Sequence, residues 1–297
     1  MYIELTSPVD CLCDFTYDFY WQHRGKRLSP SEIIPHQKGT SHTYEDLVTC
    51  LKRGEDVHIR GNAGKRLGSS LGVDLKFFKG TGESLKVGSI IVDGDVDTRM
   101  GISMVSGSIY VRGKVKQPLG NVIEVASDRA GYRKYCSITG FMYNISDETV
   151  VSPNVITKET LCINDGAFRD TIAARLDSDA SIIVNGNAGM STGILMKRGT
   201  VNVYGDAGMN TGVLMRGGVL TVCDTQEFAG AYMKGGNLVI RGKAKGYVGA
   251  NMKGGAIYLK GKAMSVQVPL DENDIMFLVK LLRISQTQVM MFKKYSI

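Results

Sequence analysis

Four histidines lie near the start of the chain, at His23, His36, His42 and His58, close in sequence to Cys11, Cys13 and Cys50. Imidazole and thiolate are the usual zinc ligands, so this is the first place to look for a metal. The spacing argues against one: a single residue separates Cys11 from Cys13, where zinc sites leave two or more. The closely spaced cysteine runs of an iron–sulfur site are missing as well. No histidine follows His58, so a serine–histidine–aspartate triad cannot be assembled in the later part of the chain. Gly61-Asn62-Ala63-Gly64, Gly186-Asn187-Ala188-Gly189 and Lys79-Gly80-Thr81-Gly82 resemble phosphate loops only in their glycines. None ends in Gly-Lys-Ser/Thr between a strand and a helix. Chemistry of another kind is written in Lys197, Arg216, Lys234 and Lys253, each of which follows a methionine. Evenly spaced like charges suit either a solvated edge or an anionic partner surface.

The elements that position those cations are a repeat of about nineteen residues from Ser181 to Ala263. Its units begin at Ile182, Val201, Leu220, Leu238 and Ile257, each opening a short alternating strand. Gly186, Gly205, Gly242 and Gly261 follow the strands; Asp224 takes that place in the third unit. A second glycine comes at Gly193, Gly212, Gly230 and Gly249, then Met196, Met215, Met233 and Met252, then a closing glycine at Gly199, Gly218, Gly236 and Gly255. Period-two alternation bounded by glycine reads as strand and turn. A fixed period of this length reads as a solenoid. The chain is therefore expected to be all-β, a parallel β-helix whose rungs stack at about 4.8 Å. Stacking turns the methionines into a ladder inside the coil, since methionine fills irregular apolar gaps. It turns the four basic residues into a column outside, where neighbours repel and an oppositely charged partner subunit would relieve them.

Weaker copies precede this repeat. Val57-His58-Ile59-Arg60-Gly61, Ile90-Ile91-Val92-Asp93-Gly94 and Ile109-Tyr110-Val111-Arg112-Gly113 match the strand and its glycine, and Met104 and Gly107 keep the later offset. Five segments result: an N-terminal arm or cap over 1–54, weaker rungs over 55–127, a connecting segment over 128–180, the main coil over 181–264, and a helical tail over 265–297. Within the first, Phe15, Tyr17, Phe19, Tyr20 and Trp21 form an aromatic cluster. Within the third, Arg129, Tyr132, Arg133, Lys134 and Tyr135 suit a loop or cap, and Asp165 to Leu176 reads as a short helix. Ile275, Leu278, Val279 and Leu282 have helical spacing behind an acidic start at Asp271, Glu272 and Asp274, which suits a helix N-terminus. That helix is expected to close the open end of the coil.

Six cysteines in 297 residues are too sparse for a disulfide framework and fit reduced thiols. No run of eighteen apolar residues marks a membrane span, and Met1-Tyr2-Ile3-Glu4 does not open a signal peptide. A cytoplasmic location is the expectation. The net charge of +7 fits an acidic protein partner; acids interrupt the basic residues, and no nucleic-acid motif is present.

From Gly186 to Ala263 the Gly-x-x-Met-x-x-Gly pattern resembles the GXGXG family. The resemblance implies a right-handed parallel β-helix. It also implies a non-catalytic scaffold subunit of a multi-subunit redox enzyme. The turns from Ile90 to Val125 are most like the C subunit of formylmethanofuran dehydrogenase. On that reading the chain binds no cofactor itself, and partner subunits carry a tungsten or molybdenum pterin and iron–sulfur clusters. Ile163, Asn164, Arg169 and Leu176, with the tail from Asp271 to Leu282, look like the corresponding domain of glutamate synthase. That alternative implies a split archaeal glutamate synthase or related amidotransferase, with FMN on a partner. Neither reading supplies a catalytic residue, a metal ligand, a nucleic-acid partner or a membrane partner.

Overall fold

The computed structural model describes residues 1–17, 28–143, 149–261 and 267–296. Phe19, Tyr20, Trp21, His23 and the end of the main repeat at 262–264 lie outside the described residues. The chain divides into two compact units, 1–155 with 167–172 and 156–166 with 173–297.

In the first unit four short parallel strands stack, β1 (Tyr2–Glu4), β2 (Val57–Arg60), β3 (Ile90–Asp93) and β4 (Ser108–Val111). Ile59, Val92 and Val111 share one inward register position and are buried. Residues 1–17 are thus a rung of the solenoid and not an arm: Ile3 pairs with Ile59, and Cys11 N–H donates to Lys65 O. The same turn carries a buried charge pair, Asp14 with Arg66 at 3.1 Å. Burial pushes the Asp14 carboxyl up, against the opposing pull of Arg66 and the Thr16 hydrogen bonds.

The parallel run ends at an antiparallel strand. After β5 (Val122–Val125), β6 (Arg133–Ser137) pairs with both β4 and β5. The Arg129 to Tyr135 segment is therefore a capping strand with its lead-in loop. Two α-helices among the described residues belong to this unit. Thr43 and Asp46 cap α1 (Tyr44–Lys52) reciprocally, and α2 (Ile138–Phe141) follows β6. Arg169, 2 % exposed, braces the unit by donating to the carbonyls of Val122 and Ala167.

The second unit contains the regular coil: β7 (Val155–Thr157), β8 (Thr160–Ile163), β9 (Ser181–Val184), β10 (Thr200–Val203), β11 (Arg216–Val222), β12 (Lys234–Ile240) and β13 (Gly254–Leu259). The expected register holds. Ile182, Val201, Leu220, Leu238 and Ile257 lie on top of one another and are fully buried. Asp165 to Leu176 is not a helix. Thr171, Ala173 and Arg175 alternate through the left-handed region at φ 58°, 59° and 58°, whereas a helix needs negative φ throughout.

At the far end, α3 (Glu272–Leu282) is capped reciprocally by Asp271 and Asp274, and α4 (Gln286–Val289) follows. The sequence reading had α3 closing the coil's end. Instead β14 (Lys293–Tyr295) pairs antiparallel with β13 and covers that edge, as unpaired strand edges require. The helices lie against the outer sheet face, where Val239, Ala256 and Tyr258 pack with Leu278, Val289 and Phe292. No helix among the described residues is long and apolar enough to cross a membrane.

Candidate partner-binding face

Of the early histidines and cysteines, His23 lies outside the described residues, and Cys13 is near enough to Cys50 to feel its charge. Among the described residues no group of histidine, cysteine and acid with metal-holding geometry includes them. Cys11, Cys13 and Cys50 are buried, while His36 is exposed. Burial pushes the Cys13 thiol well above its ordinary range, with Cys50 and Asp14 adding to it; a thiol held protonated is a poor ligand and nucleophile. None of the six cysteines is in a disulfide. Gly68-Ser69-Ser70-Leu71-Gly72 has the letters of a nucleophile elbow. The structure makes it a rung corner, with Ser70 buried at φ 51° and its N–H spent on Ile102 O.

The Gly-Asn-Ala-Gly pairs also have a structural use. Asn187 Oδ1 accepts the backbone N–H of Asp206, Asp206 Oδ1 that of Asp224, and Asp224 Oδ1 that of Lys243. Asn62 and Asp95 do the same for Asp95 and Lys114. Each side chain satisfies the rung above at a corner where the strand ladder has ended. Gly186, Gly205, Gly242 and Gly261 flank these corners, and a Cβ on Gly205 would run into the Gly186 carbonyl at 2.6 Å. Gly193, Gly212, Gly230 and Gly249 have φ between 66° and 73° and lie over the apolar core.

Inside the coil, Met196, Met215 and Met233 are fully buried and Met252 is 5 % exposed. Their carbonyls order the neighbouring column. Arg216, Lys234 and Lys253 donate their N–H groups to Met196 O, Met215 O and Met233 O, and Lys197 donates to Leu176 O. The four basic residues therefore rise one per rung. Side chains about 4 Å apart in water repel by about 1 kcal/mol, so the column is a fixed electrostatic feature and a small load on the fold.

Its base is neutralised and its upper part is not. Lys197 donates to Asp177 at 2.9 Å, and Arg198 reaches the same carboxylate at 2.7 Å. Those bonds, Arg198 first and then Lys197, hold the Asp177 carboxyl below its ordinary range. Arg216, Lys234 and Lys253 are exposed and form no ion pair among the described residues. Two positions before the four basic residues stand Leu195, Leu214, Tyr232 and Asn251, in the left-handed region at φ 58°, 58°, 54° and 53°. The leucines are half-buried, and Tyr232 is 50 % exposed. Tyrosine and arginine are enriched at protein interfaces, and Tyr232 and Arg216 are both exposed on these rungs. The glycine pattern draws attention away from this second column, and from Asp177; the signal for both was their fixed offset from the methionines.

No family model matches the chain. An uncharacterized protein of Methanothermobacter thermautotrophicus strain Delta H is 55 % identical over 203 residues, which make up 68 % of this chain. The chain spans 64 % of that relative's length.

Proposed function

We propose that this chain is a non-catalytic β-helical scaffold subunit of a multi-subunit redox enzyme, most like the C subunit of formylmethanofuran dehydrogenase. The supporting observation is the column of Arg216, Lys234 and Lys253, exposed and without counter-charge among the described residues. It stands on backbone fixed rung by rung, so the spacing of its charges is set before an acidic partner docks, while each side chain is ordered on docking at about 0.5–1.5 kcal/mol. A similar chain in a methanogen fits this setting. On this reading the tungsten or molybdenum pterin and the iron–sulfur clusters belong to partner subunits in the same complex, which works in the cytoplasm.

The helix α3 after the last rung favours a second reading, a subunit of a split glutamate synthase or related amidotransferase with FMN on a partner. Native affinity purification with mass spectrometry and metal analysis separates the two. Co-elution of pterin-enzyme and amidohydrolase chains with tungsten or molybdenum supports the first. A flavin and a glutaminase-like chain without those metals sinks it in favour of the second. A chain that elutes alone removes both.

A further inference from the structure

The helical tail covers only part of the second unit's outer sheet face. Over β12 and β13 the cover is close. Between the more N-terminal strands and the segment 281–292 lies a cavity of about 670 Å³, the size of a small-ligand site. Its floor is polar, with Asn202 and Thr221 at its centre. These two residues are direct register partners on adjacent strands. Thr221 is 3 % exposed, yet its Oγ1 and the Asn202 Oδ1 are both buried with no hydrogen-bond partner. Both atoms are closed to solvent, so Asn202 and Thr221 lie beneath the cavity's surface, and its recognition chemistry is set by the charged side chains around it.

The charge of the lining is one-sided. Arg241, Lys260 and Arg283 contribute cations and no lining residue is acidic. Arg241 is fixed in place by the carbonyls of Val203 and Tyr204, at 2.7 and 3.2 Å. Lys260 and Arg283 are exposed and have no ion-pair partner among the described residues. The opposite wall is mixed: Arg283 and Gln288 stand among the apolar Leu281, Ile284, Met291 and Phe292.

We propose that this cavity binds a small organic anion. Its acidic group meets Arg241, Lys260 and Arg283, and an apolar body rests on Met291 and Phe292. This site is independent of the scaffold reading, since it uses none of the basic column.

The probe is 1-anilinonaphthalene-8-sulfonate, which has a sulfonate, an N–H and an aromatic body, titrated into the full chain by fluorescence. The expected result is saturable one-to-one binding, at least tenfold tighter than that of the neutral analogue N-phenyl-1-naphthylamine. The surface double variant Lys260→Gln with Arg283→Gln should weaken it tenfold or more with an unchanged melting temperature. Absence of saturation, equal affinity for the neutral analogue, or unchanged affinity in the double variant would overturn the proposal.

Discussion

Asp177 follows the buried Leu176 as Lys197 follows the buried Met196, and its carboxylate accepts the Lys197 ammonium at 2.9 Å across one rung. The basic ladder thus rests on an acid, and the charge that remains for a partner begins at Arg216. Asp177→Asn should destabilise the chain by less than about 1 kcal/mol, because the pair is partly exposed. The pH dependence has a definite sign. The Asp177 carboxyl is held below its ordinary range, so its contribution is complete above that range and is lost as pH falls through the lowered value. Urea melts of wild type and variant should differ at neutral pH and converge in acid. A difference that persists in acid would assign the effect to something other than this carboxylate.

The methionine ladder makes a graded prediction. Met215→Ala removes a fully buried side chain between two rungs and should cost about 2–5 kcal/mol. Met252, slightly exposed near the end of the stack, should cost less. Equal losses at the two positions in chemical denaturation would mean that the ladder is not packed more tightly at its middle.

Gly218 and Gly39 share a left-handed backbone, at φ 77° and 74°, but differ in surroundings. A Cβ on Gly218 would stand 2.6 Å from Met196 Cε and 2.8 Å from Gly199 O, whereas one on Gly39 meets nothing within 4 Å. Gly39→Ala should cost the backbone strain alone, about 1–2 kcal/mol. Gly218→Ala should cost clearly more. Thermal melts that rank the two the other way would contradict the close rung-to-rung approach at Gly218.

Tyr258 on β13 donates to Asp274 Oδ1 at 2.7 Å, and Lys294 on β14 donates to Oδ2 at 2.8 Å. One carboxylate, 5 % exposed, thus ties together the last rung, α3 and the edge strand. Asp274→Asn should cost about 1.5–3 kcal/mol, as the loss of hydrogen bonds to a charged group, and it leaves Lys294 with Asp271 at 3.6 Å as its remaining carboxylate. Tyr258→Phe should cost about 1.5–3 kcal/mol, as a hydrogen bond to a charged group. Burial pushes the Asp274 carboxyl up, but the bonds from Lys294, the Asp271 backbone and Tyr258 hold it below its ordinary range on balance. Burial opposes the Lys294 charge, and Asp274 more than offsets this and raises it. The pair's contribution should therefore fade in acid as pH drops through the Asp274 value, and in strong alkali as pH rises through that of Lys294. Unfolding free energies of wild type and Asp274→Asn across pH should show both losses in the wild type only.

The regular coil was legible because glycine and methionine recur at one spacing, which fixed the inward register of Val201, Leu220 and Leu238. The capped helix α3 was legible from Asp271 and Asp274. The first rung was not, since its left-handed corners are Cys11 and Cys13 at φ 60° and 56°, without the glycine that marks the later turns. The same habit hid the rung corner around Ala173, whose apolar spacing imitates a helix. The antiparallel strands β6 and β14 stand outside the repeat, so no periodic signal announced that strands would close the stacks. At the candidate face, the basic column was visible as a pattern. Its pairing with Asp177 was not, because that depends on which rung Asp177 occupies.

The most direct measurement is quantitative affinity capture of partners by the native chain and by a variant with alanine at Lys197, Arg216, Lys234 and Lys253. These sites are on the surface, and each exposed change should move stability by no more than about 0.5 kcal/mol, so the variant should remain folded. The account predicts that the native chain retains defined partner subunits, that added salt weakens their retention, and that the variant loses them while keeping its melting temperature. A folded variant that captures the same partners in the same amounts would contradict the claim that this column holds the complex together.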